Sequence, residues 1–402
     1  MKKKKVALTG LQLIELDACT GCGQCLKFCP VQAVTGDASI SPPEKIRHFK
    51  YLLQAQGGGV LSRLFRSRKP SDEEMEKFVS ALFKCTTCGV CGTVCPVGIN
   101  TQKLWAALRT ELIRMGKEPP GKQKDVPDVF RRRKTPYEKD VAEKPLWRPA
   151  GLKNYPSHEI GYFVGCGVSF SAPPMALGGA RMLESIYGGF TMLEIEECCG
   201  FPLYVLGFED IIESMVRKNV AGLVGQGVKK LVTTCACCMS FLTNNWPKYT
   251  GGKLPFEVVH ISQEVARAVE TGVVAFKKEL KETVCYHDPC YISRGKPYVV
   301  EEPRRVITSI PGVIFKEMER NRQYSKCCGA GGGIRRVQDE EHTKISCEIA
   351  LEVIKDAEAE GADTLAINCP ACYERMHLAL TKLGYETKLK IKDIMQMASE
   401  QL

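Results

Sequence analysis

No stretch of this chain approaches the roughly 18 consecutive apolar residues that a membrane-crossing helix needs, although 44% of its 402 residues are hydrophobic. The opening Met1-Lys2-Lys3-Lys4-Lys5 is basic, as a secretory leader would be. Glu15 and Asp17 interrupt the apolar residues that follow it, so a cleaved signal peptide is not expected. Also missing are the C-x2-C-H run that attaches haem and a flavin or dinucleotide fingerprint with its strand, helix and acidic partner in place. Any haem, flavin or quinone chemistry therefore has to come from other chains.

Neither sign of charge is scarce. Lys and Arg number 56 against 46 Asp and Glu, a formal net charge of +10. A basic face suits an anionic small molecule, an acidic partner or a membrane surface, and a merely solvated surface has the same composition. Nucleic acid is not an expected partner. The apolar fraction supplies a substantial core, and the length suggests two or three domains.

Cysteine is what the chain has in excess, with 21 residues. Eighteen of them fall into two repeated patterns. The first is C-x2-C-x2-C-x3-C-P, present as Cys19, Cys22, Cys25, Cys29-Pro30 and again as Cys85, Cys88, Cys91, Cys95-Pro96. In bacterial ferredoxins this run places three thiolates on one [4Fe-4S] cube while the fourth, beside the proline, ligates the other. Cys19, Cys22, Cys25 and Cys95 are thus expected at one cubane, and Cys85, Cys88, Cys91 and Cys29 at a second. Zinc sites typically use two C-x2-C pairs and rarely show an eight-cysteine run with both prolines. Cluster ligation also implies a reducing, cytoplasmic setting rather than a disulfide framework. Ligating thiols are deprotonated, so the assembled protein is less basic than +10.

The second pattern gives five thiols per copy. Cys166 is followed after 31 residues by Cys198-Cys199-Gly200 and after 34 more by Cys235-x2-Cys238. Cys290 is followed after 36 residues by Cys327-Cys328-Gly329 and after 39 by Cys369-x2-Cys372. Adjacent cysteines point opposite ways on extended chain, so aiming both at one centre requires a tight turn, which Gly200 and Gly329 supply through positive φ. Gly331 and the glycines beside it offer bare backbone whose N–H groups can reach cluster sulfur. Offsets of 124, 129 and 134 residues between matching cysteines indicate a duplicated domain.

The two halves carrying these five-cysteine sets resemble the paired CCG domains of heterodisulfide reductases. With the ferredoxin module ahead of them, nearly the whole chain is similar to the fused D subunit of the membrane-bound enzyme. The resemblance implies two noncubane [4Fe-4S] clusters, one per complete set, which split a disulfide between two coenzyme thiols. It also implies a membrane cytochrome b-type partner and a position on the inner face of the cell membrane through partner subunits. Related D-like subunits of sulfate-reducer complexes, some with multihaem cytochrome c or flavoprotein partners, imply the alternative of an electron relay with no small disulfide substrate. His287, in His287-Asp288-Pro289-Cys290, is either a proton donor or a loop anchor. Glu196 and Glu197 are weaker proton donors or solvated loop residues.

The organisation expected is a mainly helical ferredoxin-like module (1–116), a basic proline-rich linker read as extended chain (117–156), and two α/β domains (157–280 and 281–402), α+β overall. Residues 41–84 read as a connection rich in glycine and basic residues, with 57–69 a candidate amphipathic turn on a membrane or partner. A helix is expected over 101–115. Strands are expected at 160–164, 192–195, 230–233, 258–260, 283–286, 313–315 and 364–367. Helices are expected at 175–188, 208–226, 339–359 and 373–383. Cys166, Cys198, Cys235, Cys290 and Cys369 then lie at strand ends, where open α/β sheets gather ligands. Cys237, Cys285 and Cys347 are left as structural thiols.

Overall fold

The computed structural model describes residues 8–56 and 70–402; the amphipathic candidate 57–69 lies outside them. The first helix, Gly10–Ala18, begins at a capping box in which Thr9 and Gln12 satisfy each other's backbone N–H, and it ends on Cys19. The stretch read as a connection is largely helical. Helix Pro42–Gln56 runs through it, and Asp72–Phe83 follows from a second capping box, Ser71 with Glu74, behind three acidic residues in its first turn. Phe49, Phe78, Leu82 and Phe83 from these helices meet Leu104, Trp105 and Leu108 of helix Thr101–Arg114 in one core.

The linker is not extended chain throughout. It folds as a 3-10 turn at Gly121–Asp125, a helix at Val126–Arg133 and a second 3-10 segment at Val141–Trp147. Proline is no obstacle here, because Pro127 sits in the first helical turn, where a missing N–H costs nothing.

Two parallel sheets follow. β1 (Ile160–Tyr162), β2 (Lys230–Thr233) and β3 (Glu257–His260) form one in the order β1-β2-β3. β4 (Thr283–Tyr286), β5 (Ile314–Lys316), β6 (Thr364–Ile367) and β7 (Lys390–Asp393) form the other in the order β5-β4-β6-β7. Crossover helices such as Pro173–Tyr187, Ile212–Gly225 and Glu340–Ala359 make the parallel pairing possible. No strand forms at 192–195. Thr191 makes a lone bridge to Gly161, and the chain then turns so that the Glu196 carboxylate accepts from the N–H groups of Val164 and Gly165, both at 2.8 Å. Cys198 consequently follows a loop, not a strand.

The parts are tied together at depth. The last helix, Ile394–Glu400, belongs to the second sheet by sequence but packs on Pro173–Tyr187 of the first. The contact requires Gly178, since a Cβ there would lie 2.6 Å from the Met395 carbonyl. Arg109, wholly buried, donates to the carbonyls of Leu82 and Cys85 in the ferredoxin part, each at 2.7 Å. It donates likewise to Val205 of the first sheet's domain at 2.7 Å and Gly332 of the second at 2.5 Å. Among the described residues no helix is long and apolar enough to cross a membrane.

Candidate metal centres

All 21 thiols are free. Cys19, Cys22, Cys25 and Cys95 line one small cavity together with Pro42, Pro43 and Ile46. Cys19 closes the first helix, Cys25 opens the 3-10 turn Leu26–Phe28, and Cys22 is exposed. Burial, followed by the nearby Cys91, pushes the Cys25 thiol up to about 12. That set is the outer one.

The inner set gathers Cys85, Cys88, Cys91 and Cys29. Cys29 feels both Cys85 and Cys88, and Cys91 also lines the outer cavity, so the two sets adjoin. Burial alone would raise the Cys85 thiol, but the Lys45 ammonium and Arg109 guanidinium hold it below its ordinary value. Its sulfur also accepts from Thr87 N–H at 3.4 Å.

The first five-thiol set is brought together by helix starts. Cys166 opens helix Cys166–Ser171, Cys235 caps helix Ala236–Asn244, and Cys238 lies in that helix's first turn. Gly200, at φ 100°, turns the chain after Cys198 and Cys199. The Cys199 and Cys238 sulfurs are 3.5 Å apart, and Cys198 neighbours Cys166 and, after burial, raises its thiol most. Hydrogen bonds from Cys198 and Cys238 pull the Cys199 thiol below its ordinary value. Lys144, wholly buried, donates to the Glu196 carbonyl at 2.9 Å and pairs with its carboxylate beside Cys166 and Cys198. Glu197 is buried too and held by Lys218 and Asn219. Neither glutamate is a solvated loop residue.

The second set repeats the plan. Cys290 opens helix Cys290–Ser293, and Cys369 precedes helix Pro370–Leu383. Gly329, at φ 77°, turns the chain and donates its N–H to Cys327 Sγ at 3.3 Å. The Cys328 and Cys372 sulfurs are 3.1 Å apart. A ring nitrogen of His287 and these two sulfurs all lie within 4.8 Å of one another. His287 is 1% exposed, its Nδ1 has no partner, and burial pushes its imidazole down to about 4. Asp288 does the anchoring in this loop, through Arg304 Nη1 and Nη2 at 2.8 Å each.

Contacts between sets were not legible in the sequence. The Cys88 thiol of the inner set is raised above its ordinary value chiefly by its neighbour Cys327 of the second five-thiol set. Cys369 of that set has Cys235 and Cys237 of the first as neighbours, which lower its thiol. Cys237, read as a bystander, therefore sits between the two copies, whereas Cys285 lies in β4 and Cys347 is buried in helix Glu340–Ala359. Gly331 and Gly332 press on the ferredoxin backbone: a Cβ on Gly331 would lie 2.2 Å from the Thr86 carbonyl oxygen, and one on Gly332 2.1 Å from that of Cys85.

These donor sets fit iron–sulfur clusters. The thiols converge in groups, N–H donors point at their sulfurs, and buried cations stand beside them, as ligation by thiolate demands. Ferredoxin-type thiol runs joined to two cysteine-rich α/β halves define an iron–sulfur oxidoreductase component. The 4Fe-4S dicluster domain model matches residues 15–99, and the cysteine-rich CCG domain model matches 160–243 and 284–377. The D subunit of the dihydromethanophenazine:CoB–CoM heterodisulfide reductase of Methanosarcina barkeri is 35% identical over 98% of this chain and 96% of its own length. The B subunit of the fumarate reductase (CoM/CoB) of Methanothermobacter marburgensis is 28% identical over 96% of this chain and 72% of its own length. The EtfAB:quinone oxidoreductase of Syntrophomonas wolfei is 26% identical over 96% and 58%. The chain belongs to the family of heterodisulfide reductase D subunits.

Proposed function

We propose that the chain is the iron–sulfur catalytic component of a membrane-associated redox complex that reduces a small disulfide. In this reading residues 1–116 take in electrons, and the domains 157–280 and 281–402 deliver them. The observation that carries it is the meeting of two complete five-thiol sets, Cys369 against Cys235 and Cys237. Reducing RSSR′ to RSH and R′SH consumes two electrons and two protons at adjacent sulfurs, and paired sites side by side answer that need. When bound, cubane clusters in the two ferredoxin sets and noncubane clusters in the two five-thiol sets supply one-electron storage and iron that thiolate sulfur can ligate.

The chain's own residues set the order. The exposed Cys22 shares the outer cavity with the exposed Val97, and Leu11, Ile14 and Leu26 of the first segment are exposed as well; in this reading these side chains form the docking face for a membrane cytochrome of the b type. From there Cys91 joins the outer and inner sets, Cys88 meets Cys327, and Cys369 meets Cys235. One continuous series results. His287 stands ready as a neutral imidazole to exchange a proton with sulfur beside Cys328 and Cys372. Arg335, Pro370 and Gly331–Gly333 of the second copy wall the cavity of the first set and shape the approach of substrate.

The names of two relatives carry CoM and CoB, so coenzyme M, coenzyme B and their mixed disulfide are the probes of choice. Anaerobic electron paramagnetic resonance of the oxidised protein is expected to show a new signal on adding either thiol, and the reduced protein is expected to consume the mixed disulfide. Silence towards every small thiol, with all clusters assembled, overturns disulfide reduction and leaves a relay to a cytochrome or flavoprotein acceptor.

A further inference from the structure

Lys45 is one of the most completely buried side chains in the molecule, at 1% exposure, and its charge has no carboxylate to meet. It projects from helix Pro42–Gln56 with Nζ 4.6 Å from the Trp105 ring centroid, and the thiols of Cys85, Cys29 and Cys91, in that order, are the ionisable groups that act on it most. Among the described residues no Asp or Glu pairs with it, and residues 1–7 and 57–69 contain neither. Arg109, which also acts on Cys85, stacks over the Phe83 ring, and its hydrogen bonds go to carbonyl oxygens. Arg294 adds a third cation, donating to the Cys88 carbonyl at 3.0 Å.

An unpaired ammonium in a dry core is strongly disfavoured unless negative charge lies beside it. The inner thiols are what lies beside Lys45. The outer set is built differently: Cys22 is exposed, and Lys50 beside Cys19 is partly exposed and shared between the carbonyls of Asp17 and Cys19 and the Asp17 carboxylate. Water screens charge at the outer set and barely does so at the inner one.

We infer that Lys45 is a fixed counter-charge that makes the cluster held by Cys85, Cys88, Cys91 and Cys29 more readily reduced than the one held by Cys19, Cys22, Cys25 and Cys95. It acts through Cys85 as a positioning residue for electrons. A cation beside a buried site stabilises the extra electron by Coulomb attraction, so the step from the outer to the inner set runs downhill and the return is held back. The inference rests on both ferredoxin sets holding cubane clusters; it is independent of whether the five-thiol sets act on a disulfide.

The test is an anaerobic redox titration of the assembled protein followed by electron paramagnetic resonance. Cys22→Ser and Cys88→Ser assign the two cubane signals, and the higher midpoint is expected to belong to the signal that Cys88→Ser alters. Lys45→Gln keeps a hydrogen-bond donor and removes the charge. It is expected to lower the inner midpoint by a tenfold change in the reduction equilibrium or more, which is about 59 mV for a one-electron couple, and to leave the outer midpoint in place. Lys45→Arg is expected to restore it. A higher midpoint on the Cys22 side in the unaltered protein overturns the inference even where the Lys45 variants fail to assemble, and so does an unmoved inner midpoint in an assembled Lys45→Gln. Absence of both cubane signals would instead remove the assignment on which it rests.

Discussion

Asp393 closes β7 with a wholly buried carboxyl. Its Oδ1 accepts from Met395 N–H at 2.8 Å and Gln396 N–H at 3.3 Å, while Oδ2 has no partner among the described residues. Desolvation outweighs the cap bonds and raises it to about 7. In the unfolded chain the group titrates near about 4. Between these values the folded state binds the proton and the unfolded state does not, so stability from this group is greatest below about pH 4 and falls as pH rises to about 7. The difference is on the order of 4 kcal/mol. Asp393→Asn keeps the cap and abolishes the titration. Its melting temperature is expected to vary less than that of the unaltered protein across that pH range and to exceed it above the range; identical curves would contradict this. At the same scale, the thiol groups were legible because each cysteine pattern occurs twice with nearly the same spacing. Lys45, Arg109 and the role of Cys237 were not, because each draws its meaning from a neighbour distant in the chain.

At the scale of elements, the six strands β1 to β6 were legible as short apolar runs bounded by turn residues. β7 was not: Lys390 and Lys392 alternate with the buried Ile391 and Asp393, so only one apolar residue marks it. The expected strand at 192–195 is lost to Glu196, whose carboxylate takes the backbone N–H groups at the end of β1. The glycine loop after Cys328 shows how closely the elements meet. Gly331→Ala drives a Cβ into the Thr86 carbonyl and is expected to destabilise the chain by about 1–3 kcal/mol through overpacking. Gly225→Ala, at a helical position with open space around it, is the control and is expected to leave stability unchanged or higher. Equal melting temperatures for the two variants would contradict the close approach of this loop to the ferredoxin part.

At the scale of the whole molecule, three contacts between thiol sets turn four local sites into one series. Two ferredoxin runs adjoin through Cys91, the inner run meets the second sheet's domain at Cys88 and Cys327, and the two sheet domains meet at Cys369 and Cys235. Arg109 binds backbone from all three parts at the middle of that series, and the C-terminal helix crosses back to the first sheet's domain. The duplicated halves were visible from cysteine offsets, but it was not visible that both copies touch the ferredoxin part through Arg109 while the thiol beside the inner set, Cys327, comes from the second copy. The measurement that bears most directly on this account is iron and sulfide analysis with Mössbauer spectroscopy of anaerobically purified protein. Four four-iron sites predict about 16 irons per chain, divided between two cluster types. Roughly 8 irons of cubane type alone would contradict it, leaving the five-thiol sets without metal.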